Sequence, residues 1–423
     1  MLSDAVLSGW CDGALGAAAD RVLFRRQHLS QVVALVLTDG RQVVVKARPF
    51  EARITGCVAV QGALAQAGFP CPVPLAGPAK IGGYAVTAEA LVPGGVRLAP
   101  ARGARPFAAL LAQLIKAAPL VTRVAPLAPP PPWAGWDHPG VRLWPDHDDR
   151  GGDLNGVAGP AWVDRAARLV RAQMSAWHAA ARVGHGDWES QNIAWQDGTA
   201  LAVHDWDSVI AQPEPAIVGL AAAVWPAAGG PGEAACVNQT AAFIDAYQAA
   251  AGATWTGRQV QAAWTAGLWV RLFNAKKDAA DGGGPQLERL AAEMPERLSM
   301  AGLTHAHIVQ LAMMICGQAL TLTALGGSSV CAASPPGSWT GASSTRRRPP
   351  ARASRRTRLN AAKIHRRRVS SRLLSFRGVS SGRPGVRRSG PASPHRGRRR
   401  YARDSSRRSR TARSAAFPPE AFW

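Results

Sequence analysis

The stretch VGHGDWESQNIAW (183–195), followed at once by LAVHDWDS (201–208), decides how this chain reads. Apolar residues flank both polar clusters. That is the pattern of strands and loops that project a few polar groups from a rigid base. His185, Asp187 and Asn192 stand in an H-x-D-x-x-x-x-N arrangement, and Asp205 follows at the end of the next apolar run. A lone Asp or Asn in a loop is ordinarily a cap or a turn former. Here the spacing of several such residues between two strands argues for chemistry. Asp207 reads as a solvated turn carboxylate, with assistance to a metal as the alternative.

Upstream, QVVALVLTDGRQVVVKA (31–47) holds two β-branched runs around Asp39-Gly40, a two-residue hairpin signal. Lys46 closes the second run. A helix is expected over 53–67, stopped by Gly68 with Pro70 and Pro72 beyond, and a strand over 82–92. From 105 onward apolar residues recur at helix spacing: Phe107, Leu110, Leu111, Leu114 and Ile115, then Val163, Ala166, Leu169, Val170, Met174 and Trp177. Further helices are expected at 235–250, 257–277 and 285–298. The spacing of His185, Asp187, Asn192 and Asp205 is that of a phosphoryl-transfer site, where positioning and charge neutralisation matter more than covalent chemistry. On that reading Asp187 accepts a hydrogen bond from the attacking hydroxyl. Asn192 and Asp205 are hard oxygen ligands for Mg²⁺, and Lys46 holds nucleotide phosphates.

At this point the chain resembles the aminoglycoside phosphotransferase / choline kinase family. The residues that carry the resemblance are HGDWESQN (185–192), HDWDS (204–208), VVVK (43–46) and GFPCPVPL (68–75), in order over about 20–300. The resemblance implies an α+β, bilobal protein-kinase-like fold with a small β-rich lobe and a mainly helical lobe. It implies ATP or GTP as phosphoryl donor, Mg²⁺, and a small-molecule hydroxyl acceptor. It places adenine against the backbone near Glu89–Leu91 and makes His185 a brace for the catalytic loop. Trp188 and Glu189 become candidates for substrate contact. Three features depart from the family pattern. No acid lies between Glu51 and Gly68, so Cys57 stands where a lysine-pairing glutamate is usual. FRRQHLSQ (24–31) replaces a glycine-rich loop, and GLA (219–221) replaces D-L-A. A nucleotide-binding pseudokinase or regulatory module is the alternative these departures raise.

Charge divides the chain of 423 residues. Residues 331–423 carry 25 Lys+Arg against Asp404 and Glu420, so all of the net +23 sits there and the preceding part is balanced. Charge therefore gives no reason to read the folded part as a nucleic-acid binder. The domains expected are a nucleotide-binding lobe at 1–90, a helical catalytic and substrate lobe at 91–303, an uncertain apolar segment at 304–330 and a disordered basic tail at 331–423. The tail is either an electrostatic clamp, and then the one route to a nucleic-acid partner, or the product of a shifted reading frame in GC-rich DNA. Six cysteines without a C-x-x-C pair suit reduced thiols. With no secretory pattern at the start and no run of about 20 apolar residues, the expectation is a cytoplasmic protein, without membrane partners, as a monomer or homodimer. In the loop 132–153, Trp133, Trp136 and Trp144 stand with Asp146, Asp148, Asp149 and Asp153. That composition suits a cationic acceptor such as an aminoglycoside.

Overall fold

In a computed structural model, the structure describes residues 2–303 apart from 28, 146–151 and 231, together with His307 and Met313. The basic tail expected at 331–423 and nearly all of the 304–330 segment lie outside the described residues, as do Asp146, Asp148 and Asp149.

Helix α1 (Asp4–Leu15) precedes strands β1 (Ala19–Gln27), β2 (Gln31–Leu37) and β3 (Gln42–Pro49). Helix α2 (Arg53–Gln66) and strands β4 (Pro74–Ile81) and β5 (Tyr84–Ala90) follow. The strands make one antiparallel sheet in the order β1-β2-β3-β5-β4. The expected hairpin is present, with a turn one residue longer than the sequence suggested. The Leu37 N–H donates to the Arg41 carbonyl, and the turn spans 38–40 with Gly40 at φ 86°. A three-residue loop with its last residue left-handed is the next favoured solution for such a connection.

Alternation along β3 decides where the chemistry goes. Val43, Val45 and Ala47 pack with Leu7 and Cys11 of α1 and with Val33, Leu35, Val86 and Ala88. Val44, Lys46 and Arg48 therefore project from the other face, toward α2 and the second lobe. Fully burying an aliphatic side chain contributes about 1.5–3 kcal/mol, so the apolar face pins the register. A slip by one residue would carry Lys46 into the α1 core.

The second lobe holds α3 (Arg105–Ala117), α4 (Ala161–Ser175), β6 (Ala181–His185), β7 (Ile193–Gln196), β8 (Thr199–Val203), β9 (Val209–Pro213), α5 (Glu214–Val224), α6 (Val237–Ala251), α7 (Gly257–Ala280) and α8 (Pro285–Met300). The three expected closing helices are present, α7 longer by three residues. Helix α7 is buried continuously from Ala262 to Phe273, as a helix apolar on all sides must be. It passes so close to α5 that a Cβ on Gly219 would lie 1.8 Å from the Ala263 carbonyl oxygen. The acid missing from GLA (219–221) thus has no room there. Backbone bonds between Val96 and Trp195, and from the Val203 N–H to the Pro70 carbonyl, join the lobes. The described cysteines, Cys11, Cys57, Cys71 and Cys236, are free thiols. Among the described residues no helix is long and apolar enough to cross a membrane.

Candidate active site

Two short ladders present the polar clusters. Strand β6 pairs with β9, His185 opposite Val209, and β7 pairs with β8, Ile193 opposite Val203. Loop 186–192 leaves the first ladder and loop 204–208 joins the second ladder back to it. Gly186 lets them touch. Its N–H donates to the Ser208 carbonyl at 2.7 Å, and a Cβ there would meet Ser208 O at 3.0 Å and the Ile210 side chain at 2.9 Å.

His185 is fully buried between these loops. Its Nδ1 accepts from the Asp187 N–H at 3.2 Å, and its Nε2 lies 3.0 Å from the His204 carbonyl. With Nε2 as the protonated nitrogen both contacts are satisfied. Trp188 and Trp206 lie edge-on to the ring. Burial pushes its pKa down to about 4. A neutral imidazole held at both nitrogens braces the loops and is no proton carrier near neutral pH.

Asn192 turns its amide nitrogen to Asp187, donating to the carboxylate at 2.9 Å and to the backbone carbonyl at 3.0 Å. The amide oxygen is thereby directed elsewhere. Asp205 adopts the left-handed conformation, φ 64° and ψ 49°, a costly backbone state for a residue with a side chain. Burial, then the neighbouring Asp207, pushes its carboxyl well above the usual carboxylate range, and Asp187 adds to this. Asp207 behaves oppositely. Burial alone would raise its carboxyl, but the Arg48 guanidinium, which forms an ion pair with it, brings it well below that range. Asp207 is therefore a paired group of the cleft, and the reading of it as a solvated turn carboxylate is corrected. Glu189 also rises, to about 7, through burial, with a Gln191 hydrogen bond opposing.

Across from these loops stands Lys46, 3.0 Å from Glu89 with both side chains buried. Burial lowers the tendency of Lys46 to stay charged, but Glu89 and then Asp205 outweigh it and its pKa is raised. Gln61 of α2 donates to the other Glu89 oxygen at 2.9 Å and to the Pro72 carbonyl at 2.8 Å. Helix α2 is tied to loop 204–208 by Arg53, which donates to the carbonyls of Asp207 and Val209. A cavity of about 930 Å³ is lined by Arg48, Asp187, Glu189, Asn192, Asp205 and Asp207, with Trp133 and Lys277 also on its lining.

The structure thus brings Asp187, Asn192 and Asp205 together, with Lys46 opposite. It moves others. Glu89 is an ion-pair partner whose side chain points into the protein, and the Leu91 N–H is already given to the Gln42 carbonyl. Trp188 is core: it is buried, with its indole N–H on the Phe107 carbonyl. Trp136 and Trp144 are core too, and Asp153 pairs with Arg142. Of the expected cation-binding loop, Trp133 and Trp144 are among the residues that line the cavity, Trp133 with its N–H on the Gly186 carbonyl at 2.9 Å. Sequence reading missed Arg48, Arg53 and Gln61. Arg48 was findable: two residues beyond Lys46 on a strand, it must share that lysine's face.

Among the described residues, no group of three or more His, Cys, Asp or Glu side chains forms a metal-holding cluster. Mg²⁺ takes one or two protein ligands and completes its shell with phosphate and water. The residues present fit it. Asp205 is a buried carboxylate crowded by two others, and the Asn192 amide oxygen supplies a second hard donor.

The phosphotransferase enzyme family model matches residues 22–262. Among solved structures, the chain is similar to amicoumacin kinase hAmiN in complex with AMP-PNP, Ca²⁺ and Ami, at 11% identity over 70% of this chain and 86% of that one, TM-score 0.46. It is similar to a thermostable mutant of aminoglycoside phosphotransferase APH(4)-Ia, at 13% over 74% and 99%, TM-score 0.43. It is also similar to spectinomycin phosphotransferase APH(9)-Ia in complex with ADP and spectinomycin, at 12% over 73% and 97%, TM-score 0.42. No curated protein matches the chain.

Proposed function

The chain belongs to the phosphotransferase enzyme (APH) family, and we propose that it transfers the γ-phosphoryl group of ATP or GTP to a hydroxyl of a small molecule. The observation that carries this reading is the meeting of Asp187, Asn192 and Asp205 on one wall of a large cavity, opposite a lysine that is buried and paired. Asp187 aims the acceptor hydroxyl and takes its hydrogen bond. Its carboxylate is steadied by the Asn192 amide. Lys46 holds the α- and β-phosphates. Asp205 and the Asn192 amide oxygen would hold Mg²⁺, which would supply charge neutralisation for the phosphates. His185 fixes the backbone of Asp187 relative to loop 204–208. Glu189 adds a carboxylate to the cavity wall, which favours an acceptor carrying an amine, aminoglycosides among them.

The test is transfer of radiolabelled γ-phosphate from Mg-ATP and Mg-GTP to a panel of aminoglycosides, amino sugars and neutral polyols. The expected result is a labelled acceptor whose formation is lost in Asp187→Ala. A chain that binds nucleotide yet labels no acceptor, and hydrolyses neither triphosphate, would mark a binding module instead.

A further inference from the structure

We propose that Glu89 is the positioning residue for the phosphate-binding lysine, an acid supplied by the sheet where α2 has none. The inference rests on reading Lys46 as that lysine.

Helix α2 reads RITGCVAVQGALAQ and contains no carboxylate. Its residues nearest the site, Cys57 and Gln61, are both buried and uncharged. A lysine buried without a counter-charge would be strongly disfavoured in its charged form. The register supplies the answer. Strand β3 pairs with β5 so that Lys46 lies opposite Thr87 and Val44 opposite Glu89. Residues two apart on a strand share a face, so the Glu89 and Lys46 side chains meet diagonally on the cleft side of the sheet. They do so at 3.0 Å. The second Glu89 oxygen is fixed by Gln61, whose amide is anchored on the Pro72 carbonyl. Lys46 therefore faces a carboxylate of its neighbouring strand at ion-pair distance without a hydrogen bond to it, and its ammonium protons remain for phosphate oxygens.

This arrangement separates two functions. Helix α2 is bound to loop 204–208 through Arg53, while the charge that sets Lys46 comes from β5. Gln61 connects the two but carries no charge. Lys46 is thus positioned by the ladder of the sheet and does not depend on a helix-borne acid.

The experiment uses the full chain as wild type, Glu89→Gln, Glu89→Asp and the exchange variant Gln61→Glu/Glu89→Gln. Mg-ATP turnover is measured alongside the rate at which acetic anhydride acylates Lys46, read by peptide mass spectrometry with and without ATP. The expected result is a fall in kcat of about tenfold to a hundredfold in Glu89→Gln, as for loss of one charged contact. The KM for ATP should change less, and the melting temperature should fall by several degrees because Lys46 is left buried without its counter-charge. Glu89→Asp and the exchange variant should recover part of the rate. Lys46 should acylate faster in Glu89→Gln, because its charged form has lost its partner. Wild-type turnover and wild-type acylation in Glu89→Gln would overturn the proposal while leaving the kinase reading intact. Lys46 acylation that ATP does not slow in the wild type would overturn both.

Discussion

The two walls of the cleft handle charge in opposite ways. On the sheet side each cation meets an anion before any ligand arrives: Lys46 with Glu89, and Arg48 with Asp207. On the loop side carboxylates are crowded together. Asp205 is pushed up by burial and by Asp207, and Glu189 rises to about 7 through burial. The sheet wall's cations are settled by ion pairs, one within the sheet and one across to Asp207 of loop 204–208, and need only keep their geometry. The loop wall holds negative charge at a cost that a bound cation relieves, through the Coulombic attraction that the low-dielectric site strengthens. On the proposed function, one wall would hold a phosphate chain and the other would draw a metal and aim a hydroxyl.

The largest effect should come from the loop wall. Asp187→Ala should slow transfer by about 10²–10⁴ while nucleotide binding, followed with a fluorescent ATP analogue, changes little. A variant with wild-type kcat would show that aiming the hydroxyl belongs to another group. Next, Asp205→Asn removes the most strained charge of that wall. It should raise the Mg²⁺ concentration needed for half-maximal turnover by at least about tenfold, an effect of the size of one charged contact. The same variant should melt a few degrees higher without ligand, since a carboxyl whose pKa is raised by folding weakens the folded state wherever it is ionised. Unchanged metal dependence would make Asp205 structural.

The sheet wall should respond in the opposite sense. Arg48→Met leaves Asp207 buried without its partner, a loss of about 3 kcal/mol by the usual cost of breaking such a pair. Adding Asp207→Asn should restore much of the melting temperature, because removing both charges is far cheaper than removing one. Additive losses in the double variant would mean that the ion pair contributes little.

How much of this could be read in advance follows from distance along the chain. Asp187, Asn192 and Asp205 fall within 19 residues and are held by two local ladders, so their spacing alone announced them. The β-rich lobe, too, was visible in the VVALVL and QVVVKA runs. The partner of Lys46 was not, because Glu89 is 43 positions away and reaches it only through the β3–β5 register. The motif suggested a helix acid, and the fold supplied a strand acid. Trp188 misled for another reason. It sits inside the motif, but its indole turns away from the cavity to the Phe107 carbonyl, and a linear pattern does not say which way a loop side chain points. Trp136 was mistaken similarly, since both core filling and cation binding use large flat rings.

The smallest predicted effect separates the two walls by pH. The Glu189 carboxyl stands at about 7 in the folded chain against an ordinary 4.5. Well below the ordinary value both folded and unfolded chains are protonated there, and the residue contributes nothing. Between the two values the unfolded chain gives up its proton first, so unfolding gains and stability falls as pH rises. Above the folded value the penalty is complete. His185 and His204 work the other way, since burial holds both at about 4 against 6.5. Their contribution is lost as pH falls through that window. They are present in both wild type and Glu189→Gln, so the difference in melting temperature between the two proteins isolates Glu189. That difference should be near zero at about pH 3.5, grow in favour of the variant by several degrees toward about pH 7, and then level off. A cationic acceptor bound beside Glu189 would favour the ionised carboxylate, so its affinity for wild type should rise over the same interval and its affinity for the variant should not. A melting difference that is constant with pH would place Glu189 in an ordinary solvated setting, and the loop wall would then owe its excess of charge to Asp205 alone.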